Sequence, residues 1–247
     1  MPRRHKIGQQ FSASLFRLHK LQRLGLSDND IHRLPAEVAA LQNLMELNLS
    51  RNDISDLPED LKVCHNLQVL DISSNPIARL PDSITLCTSL TKLALNDISL
   101  TKLPNDLGRL NALRMLEARE NHLRAFLPVG GRVRPTAAVG PGPERAAPEI
   151  GALRSLMELY VDENSLEQLP DAMLRCTKHE NGGGRLKRLM ILKADDNTVD
   201  TLTPAIDGCI SLIEMYLQQN LIGELPSSVG NLKACKKSGN FSTPKMP

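Results

Sequence analysis

The chain has 247 residues, enough for a sizeable buried core, and a formal net charge of only +2 with acidic and basic residues interspersed. That balance excludes the basic footprint of a nucleic-acid-binding surface. Aromatic residues make up 2% and tryptophan is missing, so Leu, Ile and Val must fill the interior; such uniform filler suits one unit stacked many times. No run of 18 apolar residues occurs, so no membrane-spanning helix is expected. The polar start, MPRRHKIGQQ, lacks the apolar stretch of a secretory signal, and an intracellular chain is expected. Arg3, Arg4, His5 and Lys6 read as a solvated basic terminus, with weak peripheral contact to a membrane surface as the alternative.

Residues 1–20 form an N-terminal flank whose Phe11, Leu15 and Leu18 are placed to cover the first layer as a short helix. At Leu21 a pattern begins, LQRLGLSDNDIHRLP. It returns as LMELNLSRNDISDLP from Leu44, LQVLDISSNPIARLP from Leu67, LTKLALNDISLTKLP from Leu90 and LRMLEARENHL from Leu113, each 23 residues on. LMELYVDENSLEQLP from Leu156, LMILKADDNTVDTLT from Leu189 and LIEMYLQQNLIGELP from Leu212 complete eight units. A Leu-based period of this length predicts an α/β fold: a leucine-rich-repeat solenoid, or horseshoe, of about eight 23-residue repeats, each a short parallel strand with a helical or 3-10 return.

Within the first unit, alternation turns Leu24 and Leu26 inward and Arg23, Gly25 and Ser27 outward. The Asn that follows (Asn29, Asn52, Asn75, Asn121, Asn164, Asn197, Asn220) stands where the chain leaves the strand, and its amide can satisfy backbone groups stranded by the turn. The fourth unit carries Ile98 instead. Leu-Pro pairs such as Leu34-Pro35 and Leu169-Pro170 then hold the chain extended, and apolar pairs such as Val38 and Leu41 line the return.

The spacing from Asn121 to Asn164 is 43 and from Asn164 to Asn197 is 33, so two insertions interrupt the period. The expected organisation is repeats one to five over 21–128, a Gly/Pro/Ala-rich insertion over 129–147, and repeats six to eight over 148–232 with a short insertion at 177–185. A tail follows over 233–247. GGGR in the second insertion lacks the strand-to-helix setting of a phosphate loop. The tail shows no apparent cover for the last repeat, which reads as a fragment or an incomplete chain.

Cys64, Cys87, Cys176 and Cys209 each fall twelve residues after the repeat Asn, where other units have Leu41, Leu110 and Leu232, so they read as small buried hydrophobes. Cys235 lies outside that register. No Cys or His spacing suits a metal, and none of the six histidines pairs with a nucleophile or carboxylate in a catalytic pattern. No catalytic residue, no metal and no cofactor is expected, and the chain reads as a non-enzyme without a small-molecule substrate.

Binding is expected on the outward strand positions, which line the concave face. The central ladder includes Asn48, Asp71, Glu117, Tyr160, Lys193 and Tyr216. The ladder before it includes Glu158 and Glu214, and the one after it Arg119, Asp162, Asp195 and Gln218. The two tyrosines of the chain both fall on the central ladder, on either side of Lys193. Tyr160, Lys193 and Tyr216 are the expected hot spot for a protein partner, ringed by Glu158, Asp162, Asp195 and Glu214.

LGLSDNDIHRLPAEVA, LNLSRNDISDLPEDLKVC, LALNDISLTKLP with its Ile98, and LKADDNTVDTLTPAIDGC with Thr203 after Leu202 resemble the leucine-rich region of the LAP proteins, the Scribble, Erbin, Densin and Lano group. The resemblance spans roughly residues 16–232 outside the insertions. It implies a cytoplasmic scaffold at the cell cortex, basolateral membrane and junctions. The chain departs from that family in its number of repeats, in having no Cys before Cys64 to carry lipid, and in lacking PDZ domains. Two alternatives stand beside this reading: a cytosolic regulator of Ras-type GTPase or phosphatase signalling with the same unit, and a truncated product without independent activity.

Overall fold

The computed structural model describes residues 11–12, 14–125, 150–169, 186–232 and 237–238. The two insertions, Pro170, Cys176, His5, His179, Cys235 and the basic N-terminal cluster lie outside the described residues.

Among the described residues, nine short strands stand in one open parallel sheet in chain order. They are β1 (Arg23–Gly25), β2 (Glu46–Asn48), β3 (Val69–Asp71), β4 (Lys92–Ala94), β5 (Met115–Glu117), β6 (Glu158–Tyr160), β7 (Ile191–Lys193), β8 (Glu214–Tyr216) and β9 (Lys237–Ser238). Pairing joins identical repeat positions: Leu24 to Leu47, Leu47 to Leu70 and Leu70 to Leu93, and onward to Leu192 and Met215. The register holds across both long spacings, with Glu117 opposite Tyr160 and Tyr160 opposite Lys193. From Leu47 onward this inward column is fully buried. β9 is a difference from the sequence reading, which leaves residues 233–247 as a tail. Lys237 nevertheless pairs with Glu214, 23 residues earlier, so the period outlasts the recognisable leucines.

The sequence leaves the return open between helix and 3-10, and the helical returns described are all 3-10, among them Ala36–Ala40, Glu59–Val63, Asp82–Leu86 and Pro204–Gly208. A 3-10 segment rises about 2.0 Å per residue against 1.5 Å for an α-helix, so it spans the back of a short coil with fewer residues. Extended Pro35, Pro58, Pro81 and Pro226 each precede such a turn. Where Thr203 replaces that proline, its hydroxyl accepts the N–H of Ala205 at 3.3 Å and Pro204 takes the first helical position. The turns end on Leu41, Cys64, Cys87, Leu110, Cys209 and Leu232, all buried.

The repeat asparagines bond as the turn requires. Asn75 Nδ2 donates to the carbonyls of Leu49 in the preceding coil and of Ile72 and Ser73 in its own, while its Oδ1 accepts the N–H of Ile54. Asn52, Asn164, Asn197 and Asn220 repeat this bridge. Among the described residues Asn29 bonds within its own turn, to Leu26 and Ser27, and makes no bridge to an earlier coil. In the fourth coil Ile98 is buried, and its neighbours rewire. Ile77 N–H turns to the carbonyl of Asn75, and Asn121 Oδ1 accepts from both Ile98 and Leu100.

The residue before each repeat Asn, or before Ile98, adopts a left-handed backbone: Asp28, Arg51, Ser74, Asp97, Glu120, Glu163, Asp196 and Gln219. None is glycine. The Ile98 coil needs a second such residue, Ser99.

At the N-terminal end Phe16 is buried in a three-residue 3-10 turn, Leu15–Arg17, and its ring lies 5.9 Å from that of Phe11. The predicted covering helix is therefore a single turn, and Leu18 remains exposed. At the other end Ile222 is half-buried and Leu225 39% exposed, although the matching Ile77 and Leu80 are buried.

Leu70→Ala removes a fully buried side chain from the middle of the inward column. It should lower unfolding free energy by about 2–5 kcal/mol in a urea titration followed by circular dichroism. A loss below about 0.5 kcal/mol would contradict the burial described.

Candidate partner-binding face

On the strand face of coils five to eight, cations and rings alternate. The Arg119 guanidinium lies 4.3 Å from the Tyr160 ring centroid; Lys193 Nζ lies 5.6 Å from the same ring and 5.1 Å from that of Tyr216. Parallel register creates this order, because Glu117, Tyr160, Lys193 and Tyr216 are successive partners across β5 to β8. A cation over a ring face contributes roughly 0.5–1 kcal/mol when exposed and more when desolvated.

The carboxylates predicted to ring the stack are its hydrogen-bond partners. Tyr160 donates its hydroxyl to Glu158 at 2.7 Å and Tyr216 donates to Glu214 at 3.1 Å. Both tyrosines of the expected hot spot are partly buried, with partnered hydroxyls. Each ring is thereby pinned at its tip and stacked on its face. Arg119 Nε also lies 3.3 Å from Asp162 Oδ1. Asp195 Oδ1 accepts the N–H of Gln218 at 2.8 Å.

Burial, together with the neighbouring charges of Asp162 and Asp196, raises the Asp195 carboxyl against that bond and Lys193. Burial would also raise Glu117, but hydrogen bonds from Lys92 and Asn96 and the charges of Lys92 and Arg119 hold it below the usual range. Asn48 and Asp71 belong to β2 and β3 and do not join this cluster. They accept bonds within their own turns, from Ser50 and Ser73. At about 4.8 Å per strand, Asn48 lies roughly 19 Å from Tyr160.

Sequence reasoning missed the rim beside this face. The left-handed positions of coils four to seven are Asp97, Glu120, Glu163 and Asp196, all exposed. Their signal was present as the residue before each repeat Asn, or before Ile98. Glu120 above all, then loss of solvent and the charges of Asp196 and Asp162, pushes Glu163 upward.

Cys64, Cys87 and Cys209 are buried in the returns, and burial raises Cys64 and pushes Cys87 up to about 12, the neighbouring Cys64 adding to it. The sequence offers no histidine in a catalytic pattern; the structure sets His32 Nδ1 3.5 Å from Asp53 Oδ2, an exposed pair on adjacent coils. Among the described residues no group of His, Cys, Asp and Glu is arranged to hold a metal, and no helix is long and apolar enough to cross a membrane.

Residues 19–77 match the leucine rich repeat family. No curated protein sequence matches the chain. Among solved structures it is similar to a leucine-rich-repeat protein of Leptospira interrogans, at 27% identity and a TM-score of 0.70, over 91% of this chain and 56% of that one. It is similar to PEPR1 in the PEPR1–AtPEP1 structure, at 25% identity and a TM-score of 0.69, over 90% of this chain and 28% of that one. Internalin C2 of Listeria monocytogenes shares the fold at 21% identity and a TM-score of 0.69, over 89% and 81% respectively. The chain thus spans about half the length of the first and under a third of the second.

With two tyrosines and no tryptophan, ultraviolet titration reads this site directly. Burial first, then the hydrogen bond to Glu158, pushes Tyr160 from 10.0 up to about 12. Because the folded value lies above the unfolded one, its contribution to stability is full below pH 10.0 and is lost as pH rises through about 12. Glu158→Gln should bring the Tyr160 midpoint down; an unchanged midpoint would contradict the assigned hydrogen bond.

Proposed function

We propose that this leucine-rich-repeat solenoid is a non-enzymatic scaffold that binds partner proteins on its concave sheet face, with Tyr160, Lys193 and Tyr216 at the centre. The observation that carries this reading is the stack of Arg119, Tyr160, Lys193 and Tyr216 across four coils. Hot spots favour aromatic and Arg anchors whose geometry is already set, since less side-chain freedom is lost on association. Glu158 and Glu214 hold the rings in place before any partner arrives. Glu117, Asp162, Asp195 and Gln218 complete the surround, with Asn48 and Asp71 as outlying contacts on the same face. The PEPR1–AtPEP1 complex involves a protein of this fold.

The finer assignment is a cytoplasmic scaffold of Scribble type at the cell cortex, basolateral membrane or junctions, with peripheral membrane association at most. Its support is the resemblance of LALNDISLTKLP and LKADDNTVDTLTPAIDGC to units of that group. The proposed organisation is the flank 1–20, repeats 21–128, an insertion 129–147, repeats 148–232 with a shorter insertion 177–185, and a tail 233–247 to which β9 belongs.

Proximity labelling in polarised epithelial cells, comparing the native chain with Tyr160→Ala/Tyr216→Ala, tests both levels. The native chain should label cortical and junctional proteins, and the double variant should lose them, as expected when hot-spot aromatics worth roughly 2 kcal/mol or more are removed. Identical labelling by both would remove the tyrosines from the binding site. Labelling without cortical proteins would end the polarity assignment.

A further inference from the structure

The concave sheet face has no covering element among the described residues, and the charge beside it indicates what kind of partner it fits. Asp97, Glu120, Glu163 and Asp196 occupy one position in four successive coils, about 4.8 Å apart along the solenoid. Their backbone is held in place: Asp97 N–H donates to Arg119, Glu120 to Asp162, Glu163 to Asp195 and Asp196 to Gln218. None forms an ion pair with a described Lys, Arg or His. In the first three coils the same row reads Asp28, Arg51 and Ser74, and Arg51 lies 3.3 Å from Asp28. Along this row, acid without an ion pair is therefore confined to coils four to seven, which include the coil of Tyr160 and the one between it and Tyr216, in a chain whose net charge is +2.

Two independently built features thus meet on one face. The rings are already stacked with the chain's own Arg119 and Lys193, so the stack offers a partner packed contact and the carboxylates beside it offer the charge. Beside them runs a row of carboxylates without ion pairs, in which the charges of Glu120 and Asp196 on Glu163 outweigh that of Arg119. An anionic partner, whether nucleic acid, acidic lipid or phosphorylated segment, would meet like charge along this edge.

We infer that the occupant of this face is a basic segment of a partner protein, lying across Tyr160 and Tyr216 with its Lys and Arg side chains set against Glu120, Glu163 and Asp196. This rests on the concave-face reading and adds the partner's charge to it. The rim accelerates encounter with cationic segments and selects against anionic ones; the stack below supplies the packed contact.

The test uses the intact chain and a fluorescein-labelled ten-residue peptide alternating Arg and Ser, with fluorescence anisotropy at low and at moderate salt. The peptide should bind, and Glu120→Gln/Glu163→Gln/Asp196→Asn should weaken it about tenfold, as three exposed ion pairs imply, with a shallower salt dependence. The convex control Glu59→Gln/Asp60→Asn should bind like the native chain. The rim variant should also melt no lower than the native chain, since it removes repulsion. The inference is overturned if the rim variant binds the peptide unchanged, if the convex control loses as much affinity, or if a Glu–Ser peptide binds more tightly. If Tyr160→Ala/Tyr216→Ala abolishes partner labelling while the rim variant has no effect on the peptide, the concave-face reading stands and this one falls. If only the rim variant matters, the charge assignment stands and the tyrosine centre falls.

Discussion

A buried asparagine amide bridging two coils is the interaction on which the rest of this structure depends. In each coil the chain leaves the sheet through a tight turn, and that turn buries carbonyls and an N–H that no strand or helix can reach. Asn75 closes this account alone, with three donations and one acceptance reaching both its own coil and the one before. Leaving a buried polar backbone group unpaired costs roughly 1–3 kcal/mol, so a coil without the amide must find other partners. Because the bridge spans adjacent coils, it also fixes their register. The leucine column, the strand ladder and the alternation of Tyr160, Lys193 and Tyr216 follow from that register.

The fourth coil shows what happens without the amide. Ile98 fills the apolar space but cannot bond, so Ile77 closes a local turn on Asn75 and Asn121 takes two donors instead of one. A second left-handed residue, Ser99, accompanies the change. The departure is absorbed within two coils, and β4 pairs with β5 in the common register. The exits from the strands also explain the acidic rim. A left-handed backbone at the residue before the Asn aims that side chain away from the core, where any polar residue is accepted, and four carboxylates in a row meet no packing penalty.

How much was legible in the sequence depends on whether a residue acts through period or through neighbours. Leu47, Leu70, Leu93, Cys64 and Cys87 were readable because their role is periodic: the same position in another coil carries another apolar side chain. The outward ladders were readable for the same reason, which is why Tyr160, Lys193 and Tyr216 could be placed side by side. What escaped depends on contacts across coils or on backbone detail. The hydroxyl bonds to Glu158 and Glu214 require rotamers, and the rim requires the left-handed backbone of one residue per turn. The His32–Asp53 pair joins positions that mean nothing within one unit. β9 escaped because Lys237 and Ser238 are polar, so the register persists where the hydrophobic signal has ended.

The inter-coil amide, rather than leucine burial alone, specifies this stack. Urea unfolding of Asn75→Ala beside Asn29→Ala tests it with an internal control, since Asn29 is exposed and bonds within its own turn. Asn75→Ala should lose about 3 kcal/mol or more, because four bonds to backbone groups vanish, and Asn29→Ala under about 1 kcal/mol. Equal losses at the two positions, or less than about 0.5 kcal/mol at Asn75, would contradict it.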